Sequence, residues 1–140
     1  MVEAETVRRR LREIDRRVSI LEALRAEGRE PFLADIGRQA QAERHLQLAI
    51  QSAIDVALHV VAEDSAATPE TYGSTFSLLA DQGWLTSELA NQLRRATGLR
   101  NVLVHGYLEV DPSLVWEHLE HLSDLRDFAR SVDVRLRRQE

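Results

Sequence analysis

At 140 residues, with 44% hydrophobic and 29% charged side chains, the sequence is sized for one soluble domain with its own core. It has no cysteine, which excludes a disulfide framework and a thiolate metal site, and no apolar run approaches the length expected of a membrane span. The formal net charge of −5 disfavours a broad nucleic-acid-coating surface, and all 18 basic residues are Arg.

The start, Met1-Val2-Glu3-Ala4-Glu5, is acidic and lacks a signal-peptide core, so a cytoplasmic location is expected. Residues 4–27 carry Val7, Leu11, Ile14, Val18, Leu21 and Leu24 at helical spacing, closed by Gly28 with Pro31 beyond it. Arg8, Arg9, Arg10, Arg12, Arg16 and Arg17 crowd this helix. Arginine suits bidentate phosphate contacts, but replacement of Lys by Arg throughout a GC-rich genome is the better account of most of these positions. Asp35 caps a long second helix reaching about Glu63, with Ile50, Ala53, Ile54, Ala57, Leu58 and Val61 as its apolar stripe. Gln51, Asp55 and His59, four apart, stack beside that stripe. Asp55 and His59 either border a site or satisfy each other as a structural pair.

The polar loop 64–71 ends in Pro69, which suits the first turn of a short helix bearing Tyr72, Phe76 and Leu79 and stopping near Gly83. Trp84 and Leu85 are expected in the core. Thr86 caps the next helix, about Ser87 to His105. Asp111-Pro112 starts a last helix using Val115, Leu119, Leu122, Leu125, Phe128, Ala129 and Val132. His118 and His121 on it lie near Glu117, Glu120 and Asp124, yet two exposed histidines on an acidic face ordinarily bind nothing, and no metal or other cofactor is expected. With no convincing strand, the predicted fold is all-α, an antiparallel up-and-down bundle of four to five helices forming one domain over 1–140.

The informative stretch is Gly98-Leu99-Arg100-Asn101-Val102-Leu103-Val104-His105-Gly106-Tyr107-Leu108. On an ideal helix with Leu89 at zero, Leu93 falls at about 40°, Ala96 at about 340°, Arg100 at about 20° and Leu103 at about 320°. Arg100 thus sits in the apolar stripe, where a guanidinium must be paired or face a cleft. One reading pairs it with a carboxylate such as Asp55. His105 points about 140° away from Arg100, and Gly106 is expected to close the helix in the left-handed conformation. The two could converge through that irregular end or across a subunit interface.

Arg100-Asn101, three residues, His105, one residue, Tyr107, late in a helical chain, resembles the HEPN domains. More narrowly, it is similar to the HepT-like toxins of prokaryotic toxin–antitoxin pairs. Glu43-Arg44-His45-Leu46-Gln47 and Ile54-Asp55-Val56-Ala57-Leu58-His59 carry the same resemblance, which covers roughly residues 35–130. It implies a metal-independent endoribonuclease using Arg100 and His105 at a dimer cleft, with Asn101 supporting. It also implies that Tyr107 accepts AMP from a nucleotidyltransferase antitoxin, which would place bulk and negative charge at the mouth of a phosphate-binding cleft.

The chemistry of these side chains is consistent with that. Cleaving RNA without a metal takes a base for the 2′-hydroxyl, an acid for the departing 5′-oxygen and a cation for the phosphorane. One chain offers a single motif histidine, so a complete acid–base pair calls for a homodimer. Blander roles exist for each residue: His105 capping a helix C-terminus, Tyr107 as a core aromatic. The alternative function is a non-catalytic helical module that binds a nucleotidyltransferase or a nucleotide; a third is a dimeric scaffold. RNA, the antitoxin and a second copy are the expected partners, and no membrane.

Overall fold

The computed structural model describes residues 3–64, 67–106 and 110–139. They form seven α-helices and no strand: α1 (Ala4–Ala26), α2 (Arg29–Leu33), α3 (Ile36–Asp64), α4 (Tyr72–Asp81), α5 (Ser87–His105), α6 (Pro112–Leu119) and α7 (Ser123–Gln139). The all-helical class agrees with the sequence pattern. The number of helices differs from the expected four to five, at two places and for two reasons.

The first is α2. Five residues are too few for a period to show, and the segment helps fill the core by one side chain. Phe32 is fully buried, its ring 5.5 Å from that of Trp116. Gly28, at φ 104°, lets the chain turn out of α1 and into α2 in a conformation that L side chains rarely adopt.

The second is the break between α6 and α7. Trp116, Leu119, Leu122, Leu125 and Phe128 are all buried and spaced by three. An unbroken α-helix would carry residues at that spacing progressively around its axis. The chain instead tightens: the N–H groups of His121, Asp124 and Leu125 donate to the carbonyls three residues back. A turn of that kind holds every third side chain on one side, so the run stays in the core.

α3 is the centre of the fold and contacts every other helix. Its start is fixed by Asp35, whose Oδ1 accepts the Arg38 N–H at 3.1 Å. Contrary to expectation, α3 is long and apolar enough to cross a membrane by length and composition, with a mean hydropathy of 1.2 over its best window. Half of that window is buried inside the fold, as expected of a helix packed on several sides. α1 packs mainly on α3 and then on α7, and α4 packs mainly on α5.

Caps place the shorter elements. Thr71 and Ser74 form a reciprocal capping box, each side chain accepting the other's N–H at 3.0 Å, so α4 begins at Tyr72 rather than at Pro69. Thr86 Oγ1 accepts the Leu89 N–H at 3.1 Å to open α5. Asp111 accepts the Ser113 N–H at 2.9 Å to open α6, with Pro112 just inside it. Trp84 and Leu85 are buried between α4 and α5, and the Trp84 indole donates to Asp64 at 2.9 Å, tying this turn to the end of α3.

Candidate active site

α5 is anchored through buried Leu89, Ala90, Leu93, Thr97 and Leu99. Arg100 follows at the edge of that stripe and is half-buried. Its Nε donates to Gln51 Oε1 at 2.9 Å, and a terminal nitrogen donates to Asn101 Oδ1 at 3.1 Å. Its Cζ lies 5.1 Å from the centre of the Tyr72 ring at the start of α4, a cation–π distance. Among the described residues Arg100 has no carboxylate partner, so both side-chain acceptors are neutral amides and its charge stays unneutralised at close range. Its remaining N–H groups are available to an anion.

The expected alternative partner, Asp55, is instead one step further back. Its Oδ1 accepts from Gln51 Nε2 at 2.9 Å and its Oδ2 accepts from Arg10 of α1 at 3.1 Å. Asp55 therefore borders the site through Gln51, and it is not paired with His59. His59, one turn further along α3, has its Nε2 buried without a hydrogen-bond partner among the described residues. It stands outside the bonded chain of Arg100, Gln51, Asp55 and Arg10.

Asn101 and His105 are exposed, with His105 the last residue of α5. α5 is continuous from Arg100 to His105, so these side chains leave the helix about 140° apart and about 7.5 Å along it. The irregular convergence left open by the spacing does not occur within α5. Gly106 does end the helix, but at φ −82°, not in the left-handed region that was expected. A Cβ there would meet the Val102 carbonyl oxygen at 2.6 Å, so close approach of backbone, not handedness, demands glycine. Tyr107 lies outside the described residues.

On the other flank of α3 and α5, a cavity of about 250 Å³ has Leu46, Ile50 and Leu125 in its wall and His118, His121 and Asp124 at its rim. Burial lowers the His118 pKa and raises that of Asp124. These side chains are not grouped so that three of them could hold a metal ion, and no other such group occurs among the described residues.

Sequence reasoning missed Tyr72 and Arg10 as neighbours of the site. Gln51 was legible as a face-mate of Asp55, but not as the group that holds Arg100. The i, i+4 spacing of Gln51 and Asp55 was the available signal.

Residues 9–132 match the family described as Ribonuclease HepT-like. The chain belongs to that family. It is an endoribonuclease by enzyme class. It is 31% identical over 103 residues to an mRNA nuclease HepT of Shewanella oneidensis, covering 74% of this chain and 76% of that one. It is 33% identical over 115 residues to a tRNA nuclease HepT of Aphanizomenon flos-aquae, covering 82% and 78%. Its fold is similar to that of a tri-AMPylated Shewanella oneidensis HEPN toxin in complex with its MNT antitoxin, with a TM-score of 0.83, 26% identity, and 91% of this chain and 96% of that one covered. A Bacillus subtilis cytosolic protein of unknown function, YutE, shares the fold alone at a TM-score of 0.85 and 17% identity, with 99% and 93% covered.

Proposed function

We propose that this HepT-like ribonuclease is the toxin of a HEPN–nucleotidyltransferase pair that cleaves RNA in the cytoplasm, at a cleft shared by two copies. The observation that carries the reading is Arg100: half-buried, held by the amide oxygens of Gln51 and Asn101, and without a carboxylate partner among the described residues. A guanidinium so presented is suited to the oxygens of a phosphodiester and to the extra charge of a phosphorane.

In the proposed reaction the ribose 2′-oxygen attacks phosphorus as one His105 takes its proton. The bond from phosphorus to the 5′-oxygen breaks, and a second His105, protonated, delivers a proton to that oxygen. A cyclic phosphate end and a 5′-hydroxyl result, and the side chains account for every proton without a metal. The second histidine comes from a second copy, because one chain has a single motif histidine and α5 directs it away from Arg100. Asn101 supports Arg100 from the next position, its amide nitrogen left to donate to the phosphate.

Regulation follows the relative whose structure is described as tri-AMPylated and bound to an MNT antitoxin. Tyr107, two residues past His105, is the proposed acceptor of AMP from such a nucleotidyltransferase. The modified tyrosine would repel the substrate's phosphates from the neighbouring cleft.

The test is cleavage of total cellular RNA in EDTA by protein whose intact mass shows no AMP, alongside folded Arg100→Ala and His105→Ala. Cyclic phosphate ends from wild type alone support the assignment. If unmodified wild type leaves all RNA intact, the ribonuclease mechanism is wrong for this chain and the binding-module alternative replaces it.

A further inference from the structure

We propose that Gln51 is a positioning residue for Arg100, and that Asp55 and Arg10 fix the orientation of its amide. The inference rests on the reading of Arg100 as the phosphate-binding group. Arg100 Nε can only donate, so the atom facing it at 2.9 Å must be the Gln51 oxygen. The Asp55 carboxylate can only accept, so the atom facing it at 2.9 Å must be the Gln51 nitrogen. Both ends of the amide are therefore determined by their neighbours, and a flipped amide would lose both bonds. Arg10, reaching from α1 to the other carboxylate oxygen at 3.1 Å, fixes the direction in which the Asp55 carboxylate faces Gln51.

The arrangement separates two tasks that one carboxylate would confuse. A carboxylate in direct contact would hold Arg100 but would neutralise it and compete with phosphate for its donors. An amide holds the Nε edge and leaves the net charge. The balancing carboxylate is kept one residue away, where Arg10 already occupies it. Gln51 lies on α3, the helix that contacts all the others, so Arg100 is fixed against the most anchored element of the fold. It touches Arg100 and not the reacting atoms, so its effect is on the aim of the guanidinium.

The experiment uses full-length protein labelled with ¹⁵N-arginine, as wild type, Gln51→Leu and Gln51→Glu, with Arg100→Lys serving to assign the Arg100 Nε–H signal. Gln51→Leu should speed exchange of that proton with water by ~10-fold or more, since a half-buried N–H that has lost its acceptor opens to water more often. Gln51→Glu should restore slow exchange, because it restores an acceptor, while cleavage stays low because the new charge neutralises Arg100. On an oligoribonucleotide cut by wild type, Gln51→Leu should lower kcat by ~10- to 100-fold with KM within ~3-fold, the signature of a displaced catalytic group. In an Arg100→Ala background the same substitution should change kcat no further. Unchanged Nε–H exchange in Gln51→Leu, or effects on kcat that multiply with Arg100→Ala, would overturn the proposal. If wild type cuts no RNA, the function proposed above fails while the exchange measurement still decides whether Gln51 holds Arg100.

Discussion

Replacing Gly106 tests how the end of α5 delivers His105. The substitution Gly106→Ala adds a Cβ that would lie 2.6 Å from the Val102 carbonyl oxygen. Real contacts of this kind are rarely under about 3.2 Å, so the chain must yield by roughly 0.6 Å, most easily by lengthening the Gly106 N–H bond to Val102, now 2.7 Å. Losing that bond costs about 0.5–1.5 kcal/mol, which for a chain of this size lowers Tm by about 2–6 °C. The last turn carries His105, and a misplacement near 1 Å can cost about 100-fold in rate. Activity should therefore fall much further than stability. Thermal unfolding by circular dichroism and initial rates of RNA cleavage at 25 °C, where both proteins are folded, make the comparison. Gly106→Asn discriminates the cause: asparagine relieves a left-handed requirement but not a Cβ contact, so it should be no better than alanine. Full activity in Gly106→Ala, or recovery in Gly106→Asn, would refute the contact as the reason for glycine.

Three further outcomes are expected. Phe32→Ala should cost about 3–5 kcal/mol in urea unfolding, because the ring is fully buried against Trp116; a loss under about 1 kcal/mol would show that α2 is an ornament. Tyr72→Ala should cost under about 1 kcal/mol, since the residue is 39% exposed, yet it should slow cleavage, because its ring lies 5.1 Å from Arg100 Cζ; a stability loss above about 2 kcal/mol would make it a core residue. His118 and His45 both have folded pKa values lowered from 6.5, in each case first by burial, with Arg17 and Arg16 adding to the effect at His45 and His121 at His118. Such groups contribute stability that is complete above the unfolded pKa and lost as pH falls through the folded one. Asp124 and Glu43, raised by burial, act with the opposite sign, losing stability as pH rises from the carboxylate range through their folded values. Tm should thus fall between pH 7 and pH 5, and His118→Gln should flatten that slope; an identical slope would remove His118 from the account.

The sequence made some of this legible and hid the rest for physical reasons. The caps at Asp35, Thr86 and Asp111 and the stripe of α1 are local chemistry, written in consecutive residues. Arg100 could be singled out because a charge in an apolar stripe violates a period. Its partner could not: Gln51 is forty-nine positions away, and nothing in either helix alone favours it over Asp55. The α6–α7 break was hidden in a run of apolar residues spaced by three, which reads as helix while the exact three-residue repeat is what tightens it. Gly106 was read correctly as a stop and wrongly as a left-handed one, because sequence shows the glycine but not the carbonyl that a side chain would strike.

The charge of the molecule also looks different once its arginines are located. A net charge of −5 disfavours broad RNA binding, and where the arginines are spent decides what positive charge is left locally. They are not spent evenly. Half-buried Arg8, Arg17, Arg38 and Arg126 each meet a carboxylate, in pairs from 2.6 to 3.4 Å. Arg135 is held by the Gly83 carbonyl and the Trp84 ring, at the far end of the α4–α5 turn. Arg100 differs from all of them in resting on two side-chain amides, those of Gln51 and exposed Asn101, five residues before His105 ends the helix. For the function proposed above, that arrangement leaves Arg100 free to meet a phosphate locally, while the net charge of −5 disfavours holding the rest of an RNA chain.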